Sequence, residues 1–143
     1  MPSLTRWFIK SALLYLVAAL LLGTLLALRP LLNLPPFIGL LSPAYFHLFM
    51  VGWVTQMIFG VIYWMFPIIT RAQPRGNEPL GWATYILLNT GLLLRVVGEP
   101  WAALQAGSWV GWLLVVSAVL QWLAAVAFII NAWPRVKEKY RGG

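Results

Sequence analysis

Cysteine is absent from this sequence, acidic residues number three, and histidine occurs once. The missing thiols exclude disulfides, iron–sulfur clusters, thiolate metal sites and the Cys-x-x-Cys-His attachment of a c-type heme, and they leave the redox compartment open. A single histidine excludes a His-Glu-x-x-His metal helix, and no Ser-His-Asp set and no Gly-rich phosphate loop is present. The acids Glu78, Glu99 and Glu138 fall in predicted loops or at predicted helix ends. Charge of any sign is scarce, at 9% of residues, which excludes an ordinary soluble globular chain.

What is abundant is apolar surface: 62% of residues are hydrophobic, and nine are tryptophan. Cut at their breakers, four segments remain, roughly Trp7 to Leu28, Ala44 to Ile69, Leu80 to Gly98 and Gln105 to Trp133. Each is near the ~20 residues that a spanning helix needs. Arg29-Pro30 is expected to close the first, Pro43 to open the second, Pro67 to Pro79 to separate the second from the third, and Glu99-Pro100 to end the third. The expectation is an all-α integral membrane protein, a four-helix bundle forming one domain over residues 1–143. The connector Leu31 to Ser42 is too short and Pro-rich to span and too apolar for a plain loop, so it is placed at the membrane interface. Arg6 and Lys10 precede the first run, but that run ends in Ala-Leu-Arg-Pro without a small-residue cleavage pattern, so it reads as a retained helix.

In a four-span layout Arg6, Lys10, Arg71, Arg75, Arg135, Lys137, Lys139 and Arg141 fall on one side, and only Arg29 and Arg95 on the other. The positive-inside rule then puts both termini in the cytoplasm, with the bacterial inner membrane as the expected location. The net charge of +7 expresses this asymmetry and contact with anionic lipid headgroups; no basic groove or soluble domain accompanies it, and nucleic-acid binding is rejected.

The lone histidine, His47, lies one turn inside the outward end of the second span. An ionisable residue there is a functional-site candidate, since lipid offers its nitrogens no partners; the plainer alternative is a hydrogen bond to a neighbouring helix or to interfacial water. At 100° per residue Met50, Val51, Val54, Ile58, Val61 and Met65 share its side, an apolar strip that would suit a flat macrocycle. Gly52, Gln56 and Gly60 occupy the opposite side at four-residue spacing, where a second helix could approach closely and Gln56 could hydrogen-bond to it. Ordinary packing remains the plain account of both strips.

Tyr45-Phe46-His47-Leu48-Phe49-Met50-Val51-Gly52-Trp53, followed by Ile58-Phe59-Gly60-Val61-Ile62-Tyr63-Trp64-Met65-Phe66-Pro67, resembles the ligand-bearing helices of subunit I in heme–copper oxidases and nitric oxide reductases. In that family's tenth helix a His-x-His pair serves two hemes on opposite faces, and Tyr45 stands where the first of the pair would be. The resemblance therefore implies a four-helix relative that keeps only the low-spin site: a non-covalent heme b with His47 as axial ligand of its iron, and Met50, Val51, Val54 and Ile58 against the ring. Copper is not expected, because three histidines would be required. Enzymatic activity is left undecided. Arg29 and Arg95 are candidate partners for the heme propionates; alternatively Arg29 caps its helix and Arg95 pairs with Glu99 at i+4. Low-spin iron needs a second axial ligand, which points to a homodimer sharing one heme through two copies of His47, with a homotrimer or a subunit of a larger complex as alternatives. Two other functions stay open: a heme-free structural subunit of a respiratory or photosynthetic membrane complex, and a gas-binding five-coordinate heme protein.

Overall fold

A computed structural model describes residues 1–105 and 107–137. Lys139 and Arg141, part of the charge asymmetry above, lie outside the described residues. Four helices are long and apolar enough to cross a membrane: α1 (Ser3–Leu32), α2 (Pro36–Met65), α3 (Glu78–Leu104) and α4 (Ser108–Ala132), the last extended by a 3₁₀ turn over Trp133–Arg135. The described residues contain no strand.

The four spans stand, but two of the expected stops do not act as stops. Pro30 lies inside α1, and the helix ends instead at Asn33, whose φ of 50° turns the chain left-handed while its N–H and that of Leu34 both reach back to the Arg29 carbonyl. Pro100 likewise lies inside α3, which runs on to Leu104. In each case the missing N–H falls near the helix end and frees one carbonyl, a loss that membrane helices tolerate. The connector is also more ordered than a loop at the interface: Pro36–Leu41 forms a 3₁₀ turn that leads straight into the second span and packs on α1 and α3. Phe66, held extended by Pro67 after it, does end α2.

The helices alternate in direction, so Ser3, Met65, Glu78 and Ala132 gather at one end of the bundle, here the termini end, and the 33–41 connector lies at the other, the connector end. α2 sits between α1 and α3, and α3 pairs along its length with α4. Large apolar side chains such as Leu14, Val17 and Leu21 of α1 and Trp112, Val119 and Trp122 of α4 face outward, as a lipid solvent permits. A compact cluster of Leu4, Phe8, Tyr63, Leu88 and Ala124 closes the termini end.

Close approach of α1 to α2 depends on the glycines read from the sequence. A Cβ at Gly60 would stand 2.7 Å from Phe8 Cβ, and one at Gly52 would stand 2.8 Å from Tyr15 Cβ, both too tight to exist. α2 is not α-helical throughout: Ser42–His47 is α, Leu48–Thr55 is π, and Gln56–Met65 is α again. Its buried row is Ala44, Leu48, Gly52, Gln56 and Gly60, a four-residue step repeated four times. In a continuous α-helix each such step drifts by about 40°, so the row would wander through about 160°. The wider π turn, which closes i→i+5, keeps the row on one side.

Candidate functional site

His47 closes the short α segment that Pro43 opens, and the π stretch begins immediately after it. Its Nδ1 lies 3.0 Å from the Pro43 carbonyl one turn back; since a carbonyl only accepts, a hydrogen bond between them requires the Nδ1–H form of the ring. The same Nδ1 lies 3.5 Å from Glu99 Oε2 on α3. Arg95, one turn earlier on α3, donates from Nη1 to Glu99 Oε1 at 3.3 Å. The imidazole is partly exposed, and Nε2 has no hydrogen-bond partner among the described residues.

Of the two arginines expected near this level, Arg95 is thus engaged with Glu99, the i+4 alternative. Arg29 is not tied into the cluster: its guanidinium lies over Gly39 in the connector turn, beside an open groove of about 720 Å³ lined by Leu26, Asn33, Leu34 and Pro36. The apolar strip assigned to the side of His47 divides. Met50 and Ile58 are exposed, Val54 is half-buried, and Val51 packs against the core cluster. A uniform 100° step across 48–55 produced that strip, and the π geometry there removes the premise. Thr55 carries the wider register in its side chain, donating from Oγ1 to the Met50 carbonyl five residues back.

Sequence reasoning offered Glu99 as a partner of Arg95 but missed its approach to His47. Reading Glu99-Pro100 as a helix end removed it from the bundle, whereas Arg95 and Glu99 inside an apolar span, level with the only histidine of the next helix, carried the signal.

A second polar array crosses the middle of the bundle. Ser11 Oγ and Tyr85 OH are 2.6 Å apart, and Tyr15 OH donates to Asn89 Oδ1 at 2.9 Å. Asn89 Nδ2 donates to Gln56 Oε1 and to the Tyr85 carbonyl, each at 2.8 Å. Gln56 is fully buried, as its place in the row requires, and its Nε2 is unpartnered. At the termini end the buried Arg135 donates to the Phe66 and Pro67 carbonyls at 2.7 and 3.1 Å and stacks over the Tyr63 ring, capping the end of α2 with positive charge. These two arrays tie helices together and leave no nitrogen lone pair free.

The site at His47 has different chemistry: one imidazole whose Nδ1 lies against acceptor oxygens. The described residues contain no group of three or more His, Cys, Asp or Glu side chains that could hold a bare metal ion. A metal that brings its own equatorial donors, as heme iron does, asks the protein only for axial nitrogens, and that is what His47 can give. No family model matches the chain, and no curated protein or solved structure matches it either.

Proposed function

We propose that this chain is an integral-membrane b-type heme protein in which Nε2 of His47 is an axial ligand. The observation that carries the reading is the Nδ1 hydrogen bond to the Pro43 carbonyl, which leaves the lone pair of the sole histidine on Nε2, the arrangement metal-bound histidines use. Bound heme would supply a one-electron iron couple. The exposed Phe46 and Met50, one and three residues from His47, would offer apolar contact to a macrocycle, with the exposed Ile58 and half-buried Val54 further along the helix, while Val51 belongs to the core side. Arg29, exposed at the connector end, is the cation placed for a propionate, and Arg95 takes part through Glu99 instead. Each chain has one histidine, so the second axial ligand comes from another protomer, and a homodimer sharing one heme follows, its partly exposed imidazole facing the partner. The excess of basic residues at the termini end supports a cytoplasmic side for both termini.

The test is the visible absorption spectrum of the purified protein with a heme assay. The proposal expects sharp low-spin bands, one heme per two chains, and loss of the Soret band in His47→Ala with the chain still inserted. A wild-type protein purified without a Soret band, after expression with heme supplied, refutes it. One observation favours a second reading, a heme-free structural subunit: the His47, Glu99 and Arg95 side chains associate within a single chain, as an interhelical clasp would. The same spectrum separates the two.

A further inference from the structure

Two oxygens stand near Nδ1 of His47. The Pro43 carbonyl is 3.0 Å away and the Glu99 Oε2 3.5 Å away, and both groups accept only. Glu99 is itself held: Oε1 takes the Arg95 hydrogen bond, its side chain is 13% exposed, and Oε2 is buried without a hydrogen-bond partner. A buried carboxylate oxygen left without a donor is costly, and the N–H of His47 is the group beside it. Were the proton on Nε2 instead, the Nδ1 lone pair would face two further lone pairs, one of them on an anion.

We infer that Glu99 is a positioning residue for His47, clamped by Arg95, which holds the imidazole in the Nδ1–H form and so keeps the Nε2 lone pair available. The inference rests on the proposed ligand role of Nε2, and it adds where control of that nitrogen resides: on α3, one helix away from the ligand. The carboxylate at 3.5 Å adds a charged acceptor beside Nδ1 to the neutral Pro43 carbonyl at 3.0 Å.

The chain contains one histidine, so protein labelled with ¹⁵N-histidine gives a single pair of ring nitrogens with no assignment needed. The spectrum is taken on heme-free protein in detergent. Wild type should show Nδ1 protonated and Nε2 bare. Glu99→Gln offers an amide N–H to Nδ1 and should lower the Nδ1–H to Nε2–H ratio by about tenfold or more. Arg95→Gln should lower it less, and Arg95→Lys, which keeps a cation beside Glu99, should restore it. A residue that merely tied α2 to α3 would change thermal stability and leave the ratio alone, so an unchanged ratio in Glu99→Gln overturns the inference. If that variant does not fold, Arg95→Gln decides, and an unchanged ratio there overturns the inference. The measurement needs no heme: a missing Soret band removes the heme reading and leaves this one, while heme binding with an unchanged ratio in Glu99→Gln does the reverse.

Discussion

Asn89 joins three helices through two interhelical hydrogen bonds, donating to Gln56 on α2 and accepting from Tyr15 on α1. Replacing it with leucine keeps the branched shape and the number of side-chain heavy atoms and deletes both. Interhelical hydrogen bonds in membrane bundles are worth about 0.6 kcal/mol on average and up to about 1.7, so the direct loss is about 1–3 kcal/mol. Gln56 then keeps neither partner, because its Nε2 has none already and its Oε1 loses the only one; a buried amide so stranded costs a further ~1–3 kcal/mol. Asn89→Leu should therefore destabilise by about 2–6 kcal/mol in reversible unfolding from mixed micelles. Gln56→Leu should cost less, because it removes the orphaned Nε2 along with the bond. The double variant should be markedly more stable than the sum of the two losses predicts, with a coupling of about 1 kcal/mol or more. Additivity within about 0.3 kcal/mol would refute the claim that the array acts as one unit.

Gly60→Val should disrupt the α1–α2 contact, because a Cβ there already meets Phe8 Cβ at 2.7 Å; a loss of about 1–3 kcal/mol in the same assay is expected, against little change for Gly111→Ala, which has open space around it. Arg135→Ala should cost about 3 kcal/mol or more by freeing two carbonyls at the end of α2, and Arg135→Lys should recover part of it without the stacking on Tyr63; equal stability of the two variants would remove the capping role. Arg29→Gln should weaken heme retention during purification while leaving stability unchanged, and Arg95→Gln should instead change the His47 ring signals, a division of labour that a heme titration and the labelled-histidine spectrum can each contradict.

The spans were legible because runs of apolar residues near bilayer length admit few other structures, and the close approach at Gly52 and Gly60 was legible because small residues at four-residue spacing have a direct packing meaning. Proline misled at Pro30 and Pro100. Its effect depends on whether the rest of the helix is held by an apolar environment, and a rule drawn from helix interiors in water overstates it there. Gln56 was legible as an interhelical donor or acceptor, but the identity of long-range partners was not: Tyr85 meets Ser11 and Glu99 meets His47 across separations that no local pattern encodes.

The π stretch links these outcomes. The four-residue row from Ala44 to Gly60 already conflicts with a uniform 3.6-residue period, since α geometry would carry its ends apart by about 160°. Burying both Ala44 and Gly60 against neighbouring helices therefore demands a wider turn somewhere between them, and it falls at Leu48–Thr55, directly after His47. Met50 and Ile58 then go to the exposed surface and Val51 to the core, while the imidazole stays on the α turn before the change, beside Glu99 of α3. The same conflict of period that spoils the simple face assignment is thus what allows one helix to pack Gly52 and Gly60 on α1, offer Gln56 to α3 and still present a histidine with its Nε2 unpartnered.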